Sequence, residues 1–157
     1  MSQFTSANAF GFLLADCARL FQQMCDKKLS EADMGLSTDQ IRVLDCVIQH
    51  RASTEWNLAA RLAMTAMTLS ASLEQLEKDG LIARVTGPDE HAIIVNPTAE
   101  GIAVFETVSP VLDDVIIQGL EAMGDAEIAI LAGALIKICH NLTKHPDLLM
   151  STDELIH

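Results

Sequence analysis

The sequence predicts a mainly α-helical protein carrying one small β-hairpin. Apolar residues recur at helical spacing along most of the chain. Two short β-branched runs, at 81–85 and 92–95, flank the turn-rich stretch TGPDE. The 157 residues are 50% apolar, which suits a single domain with a real core and not a disordered chain.

A first amphipathic helix should run to Lys28, with Phe10, Leu13, Leu14, Cys17, Leu20, Phe21 and Met24 on one side. Gly35 ends the connection after it. Ser37 should open a second helix, with Gln40 completing a capping box. Ile41, Leu44 and Ile48 form one apolar face of that helix and Val43 and Val47 another, so it should pack on two sides. Arg51-Ala52-Ser53 is a break. Residues 54–63 read as a short helix with Leu58 and Leu62 inward. Thr65 should cap the next helix, with Leu69, Leu73 and Leu76 inward and Gly80 as its stop. The hairpin follows. Thr98 should open a long helix carrying Ile102, Phe105, Val108, Leu112, Val115 and Ile116, kinked or broken at Pro110. Asp125 should cap a last helix with Ile128, Leu131, Leu135 and Ile138 inward. The tail after His145 should be loosely ordered.

Short helix, tight turn, helix and hairpin make a winged helix-turn-helix lobe, at residues 37–97. The flanking helices, at 1–36 and 98–157, exceed what that core needs, and their apolar faces want a partner. The expected architecture is a single domain in which these flanking segments are dimerisation helices and the partner is a second copy.

The layout resembles the MarR family of bacterial transcription regulators. The likeness is carried by GLSTDQIRVL (35–44), LAARLAMTAMTLSASLEQLEKDGLI (58–82) and VNPTAEG (95–101). The resemblance implies an obligate homodimer whose two lobes straddle successive half-sites of double-stranded DNA. The helix at 65–78 would enter the major groove and the wing at 86–91 the minor groove. It also implies a response to a small lipophilic ligand, as is common among such regulators.

A major-groove reader needs side chains that meet base edges and others that fix it to phosphates. Thr65, Thr68, Ser70, Ala71 and Gln75 should face outward, opposite the leucines. Gln75 suits adenine, Met67 a thymine methyl, and the Thr65 hydroxyl a phosphate beside the exposed amides of the helix N-terminus. Ser53, Thr54, Lys78 and Arg84, with Asp89 and His91 in the wing, complete the expected DNA-binding set. Several positions depart from the family. Ala71 and Gln75 stand where arginine is common, and Asp79 and Ala83 where basic residues are. Asp89-Glu90-His91 replaces the usual Asp-Arg-Arg of the wing.

Charge sharpens the difficulty. The formal net charge is -12. Residues 98–157 hold ten acids against Lys137 and Lys144, while residues 37–97 hold eight acids against five bases. The lobe is thus mildly acidic and lacks a basic footprint. Losing two cations per lobe removes roughly four of the roughly 6–10 phosphate contacts of a strong binder. Affinity should be weak and salt-sensitive, or confined to a site with good base and shape readout. A hydroxyl-rich face is also what a merely solvated helix can show.

Other chemistry has less support. Cys46 and His50 share a helix at metal-ligand spacing, with Cys139, His140 and His145 as further donors, but no complete zinc set appears, and a core cysteine with an incidental histidine is expected. Cys17 should be a packed thiol on the apolar face of its helix. Met24, Met64, Met67 and Met123 could together line an adaptable apolar pocket, while ordinary core packing is the simpler reading of each singly. There is no catalytic triad order, P-loop or dinucleotide fingerprint, so neither an enzyme nor a cofactor is expected. No secretory signal or membrane span is apparent, and a cytoplasmic protein is expected. The function expected is a dimeric, ligand-responsive DNA-binding regulator; the alternative is a winged-helix module that has exchanged DNA for a protein partner.

Overall fold

The computed structural model describes residues 7–89 and 91–143. Its elements in chain order are α1 (Ala7–Glu31), α2 (Thr38–Gln49), β1 (Ser53–Thr54), α3 (Glu55–Leu62), α4 (Ala66–Lys78), β2 (Ile82–Thr86), β3 (Ile93–Pro97), α5 (Ala99–Gly119) and α6 (Asp125–Thr143). The protein is mainly helical with one small antiparallel sheet, in the order β1-β3-β2. The sequence led us to expect the β2–β3 hairpin but not β1, a two-residue strand that pairs Ser53 with Val95 and Thr54 with Ile94.

By internal contacts the chain divides into two compact units, Met1–Thr38 with Val108–Glu121 and Asp39–Thr107 with Ala122–His157. In the second, apolar side chains of α2, α3, α4 and the hairpin make one core. Ile41, Val43, Leu44, Val47, Leu58, Leu62, Leu69, Leu73, Leu76, Leu81, Ile82 and Val95 are all buried. The two apolar faces expected of α2 are both covered. Each fully buried leucine contributes about 1.5–3 kcal/mol against its exposed state, so this leucine-rich core dominates the lobe's stability.

Local chemistry sets the element ends. The extended Thr54 and Thr65 cap α3 and α4, their hydroxyls accepting the amides of Asn57 and Thr68, both at 3.2 Å. After α4, Gly80 takes a φ of 76°. The Leu81 amide then donates to the Leu76 carbonyl at 2.9 Å and the Gly80 amide to that of Glu77 at 3.0 Å, a Schellman close. After β3, Thr98 accepts the Gly101 amide at 3.0 Å and donates to the Gly80 carbonyl at 2.7 Å. Gly101 must be glycine, because a Cβ there would sit 2.0 Å from the Leu81 carbonyl oxygen.

In the first unit, Cys25, Leu29, Val108 and Val115 are buried. Asp26 receives both the Thr38 amide, at 2.8 Å, and the Thr38 hydroxyl, at 2.6 Å, so a carboxylate of α1 anchors the first residue of α2. α1 runs three residues beyond the expected Lys28, to Glu31.

Three expectations are corrected, and α5 runs as one helix through Pro110, without the break that was the alternative to a kink. Both Pro110 and Glu106, whose carbonyl loses its helical donor, are exposed, so water can take that bond. α6 is opened by Gly124, whose amide donates to Glu127 at 2.8 Å, and Asp125 is its first helical residue instead of its cap. Leu131 and Leu135 of α6, expected inward, are exposed; Phe10, Leu13, Leu20 and Met24 of α1 are exposed too, in keeping with an apolar face that wants a partner. Cys17, expected to be packed, is exposed with its stripe. Helical spacing shows which side of a helix is apolar, not what covers it. The tail after His145 lies outside the described residues. Among those that are described, no helix is long and apolar enough to cross a membrane.

Candidate nucleic-acid interface

The helix-turn-helix is α3, a turn through Ala63 and Met64, and α4. Two adjacent caps make the turn tight. Ala63 closes α3 in the left-handed conformation, with φ 51° and ψ 39°, and Thr65 opens α4 two residues later. Leu58 and Leu62 of α3 and Leu69, Leu73 and Leu76 of α4 point into the core. That fixes the opposite side of α4 as surface. Thr65, Met67, Thr68, Ser70, Ala71, Gln75 and Lys78 are all exposed there, as the sequence predicts.

Their hydrogen bonds decide what each can offer. The Thr65 hydroxyl donates to Thr68 Oγ1 at 2.9 Å while accepting the Thr68 amide. A hydroxyl has one proton, so that of Thr65 is already used, and the outward donor of this pair is Thr68. Gln75 Nε2 donates to Asp79 Oδ1 at 3.0 Å, along the same face of α4. Ser53 and Thr54 are half-buried in β1, where Thr54 is the α3 cap.

Arg84 is the most heavily engaged of the expected residues. It lies on β2, opposite Val95 in the sheet register. Its Nη1 is 3.1 Å from Glu55 Oε1, its Nη2 3.1 Å from Glu77 Oε1, and its Nε 3.3 Å from Glu77 Oε2. Its backbone amide also donates to Glu77, at 3.2 Å. The side chain is 22% exposed. Arg84 therefore joins α3, α4 and the wing through two carboxylates, and their charges offset its own before any phosphate could. The hydrogen bond from Arg84 holds the Glu77 carboxyl below its usual range, and the two carboxylates hold Arg84 firmly protonated. Sequence reasoning missed Glu55 and Glu77. The Gln75 and Asp79 pair was readable from its spacing of four. Nothing local links Glu55 to a residue twenty-nine positions away.

The wing tip is closed by the Gly87 amide on the Ala92 carbonyl at 2.7 Å and the Ala92 amide on the Asp89 carbonyl at 2.9 Å. Asp89 and His91 are exposed beside this closure, and Glu90 lies outside the described residues. Lys78 and Arg51 are exposed cations of this lobe.

Among the described residues, no three His, Cys, Asp or Glu side chains gather as metal ligands would. Burial pushes the thiols of Cys46 and Cys25 up, away from the thiolate a metal would need. His50 Nε2 lies 3.5 Å from Arg61 Nη1, a guanidinium that opposes a cation there. His145 lies outside the described residues.

Comparison with known proteins agrees with this geometry. Residues 36–90, the helix-turn-helix and most of the wing, match the model of the MarR family. No curated protein matches the chain by sequence. Among solved structures, a transcriptional regulator (MarR family) from Rhodococcus sp. RHA1 is 20% identical with a TM-score of 0.78, over 87% of this chain and 96% of that one. A mutant MarR from E. coli, solved with operator DNA, is 21% identical with a TM-score of 0.76, over 88% and 99%. CouR from Rhodococcus jostii RHA1, bound to p-coumaroyl-CoA, is 19% identical with a TM-score of 0.74, over 82% and 90%. At these identities the likeness establishes the fold of MarR-family regulators.

Proposed function

We propose that this chain, a MarR-family protein by the sequence of its lobe and by its fold, is a homodimeric DNA-binding transcription regulator responsive to a small lipophilic ligand. The observation that carries the proposal is the outer side of α4. It is capped at Thr65, fixed by three buried leucines and lined by exposed Thr68, Ser70 and Ala71. That is a helix with an exposed face from its N-terminal turn onward, the part that meets base edges in helix-turn-helix docking. The fold shared with a MarR solved on operator DNA supports the same reading. The fold shared with ligand-bound CouR supports a response to a bound ligand.

Two copies would meet through α1 and α6, whose Phe12, Leu20, Ile130 and Leu142 are 53–73% exposed in the single chain. The two reading helices should then stand roughly 34 Å apart, one turn of B-DNA. The proposed role is regulatory and needs neither cofactor nor catalysis.

Selection from a randomised duplex pool at low salt, followed by binding of the enriched duplex between 50 and 200 mM salt, tests the proposal. One enriched half-site repeat is expected. Because the lobe has few exposed cations, affinity should be weak but should fall with salt by less than the roughly 10³-fold or more of a protein making 6–10 phosphate contacts, the reverse of the salt sensitivity first expected from the charge balance. Recovery of no sequence above background would overturn DNA reading. The clamp on Arg84 favours one second reading, a winged-helix module for a protein partner. Cross-linking that captures one stoichiometric protein, together with a failed selection, would establish it instead.

A further inference from the structure

The exposed side of α4 is divided along its length. Residues 64–73, MTAMTLSASL, hold no charge. This half begins at the capped first turn, the positive end of the helix dipole. Residues 74–79 hold Glu74, Glu77 and Asp79 against Lys78. Phosphates repel that second half and tolerate the first, so the charge pattern sets the direction of approach: N-terminus foremost, with the acidic end held away.

The groups that would be presented in that pose are unusual for a reader. Gln75, the one long amide on this face, is hydrogen-bonded to Asp79. The hydroxyls of Thr68 and Ser70 can serve any base and discriminate little. What projects furthest is apolar. Met67 is 83% exposed, the most exposed of the large hydrophobic side chains described, and Ala71 lies exposed one turn further on the same face. A thioether and methyl surface on a groove-facing helix matches one feature of the major groove, the 5-methyl group of thymine.

Resting on the reading of α4 as a DNA reader, we infer that Met67, with Ala71 beside it, is the specificity-determining contact, and that it recognises a thymine methyl in each half-site. Sequence choice then comes from methyl burial, in place of the arginine-to-guanine pairing that residues 64–77, without lysine or arginine, cannot make.

The test uses the full chain and its selected duplex, with thymine replaced by uracil one position at a time. This removes the methyl and leaves base pairing intact. One position per half-site should weaken binding roughly fourfold, the effect of one methyl group left unburied. Met67→Ala should weaken binding to the thymine duplex by a similar factor and bind thymine and uracil duplexes equally. Met67→Leu should restore the preference. Met67 is exposed, so these variants are expected to keep the wild-type circular dichroism. Uracil tolerated at every position, or a uracil penalty unchanged in Met67→Ala, would overturn the inference while leaving DNA reading intact. Failure to select any sequence would overturn DNA reading itself and the inference with it.

Discussion

The winged lobe and the two long terminal helices bury their apolar residues by different means. In the lobe, Leu58, Leu73 and Leu76 are 0% exposed within one chain, and even Arg84 is satisfied locally by Glu55 and Glu77. In α1 and α6, Leu20 is 65% and Ile130 73% exposed. The leucines of the lobe are thus covered within one chain, whereas α1 and α6 carry apolar side chains that the proposed contact between copies would bury. Mutations in the two regions should differ in kind as well as in size.

The largest effect should come from charging the open stripe. Leu20→Glu would place a carboxylate in the proposed contact between copies, at a cost of about 3 kcal/mol or more per chain. Light scattering after size exclusion should show the dimer dissociating at least about a hundredfold more readily. The lobe's near-native circular dichroism should persist, because Leu20 is mostly exposed within its own chain. An unchanged dimer would break the comparison at its first step.

Leu73→Ala probes the closed region. It opens a cavity beneath α4 and should cost about 2–5 kcal/mol. Urea denaturation should show this loss with little dependence on protein concentration, unlike Leu20→Glu. If both variants proved equally concentration-dependent, lobe and terminal helices would not be separable in this way.

The same contrast explains what could be read from the sequence. The lobe was legible because its signals are local. Thr65 and Gly80 bracket α4, the three leucines set its inner side, and the β-branched runs mark the hairpin. β1 was not, since two residues show no alternation. The Arg84 clamp was not, because its partners come from α3 and α4 and meet only once the hairpin has folded back. In α1 the spacing is right, and the exposed stripe agrees with an apolar face that wants a partner; only Cys17, expected to be packed, departs. Cys17 and Leu20 share an apolar stripe whose burial no single chain supplies. The outward face of α4 was foreseen residue by residue, yet its hydrogen bonds changed the roles available, moving the free hydroxyl from Thr65 to Thr68.

The clamp itself gives a smaller, pH-dependent effect. Glu77 has a lowered carboxyl pKa in the folded chain, because Arg84 hydrogen-bonds its charged form. The unfolded chain binds that proton at about pH 4.3. The pair therefore adds stability above that pH, and the contribution is lost as pH falls through the lower folded value. Urea midpoints followed from pH 6 to pH 3 should drop more steeply for the native chain than for Arg84→Gln. Identical slopes would mean that the ion pair is not populated in solution. The expected amplitude is small, since Glu77 is exposed and water screens it.

The smallest effect separates backbone from side chain within the lobe. Ala63 and Gly80 both close helices in the left-handed region, with φ of 51° and 76°. Only Gly80 has a residue suited to it. Alanine strains that conformation by about 1–2 kcal/mol, while glycine stabilises the unfolded chain by about 0.4–1 kcal/mol. Ala63→Gly should therefore raise stability by about 0.5 kcal/mol, and Gly80→Ala should lower it by a similar amount. The nearest atom to a Cβ at position 80 is Glu100 Oε2 at 3.6 Å, so the loss there would be conformational and not a clash. Opposite shifts in thermal midpoint of about 1–2 °C are the expected result. Equal signs would show that the turn between α3 and α4 is held by its hydrogen bonds to Ala59 and Ala60 more than by its backbone preference.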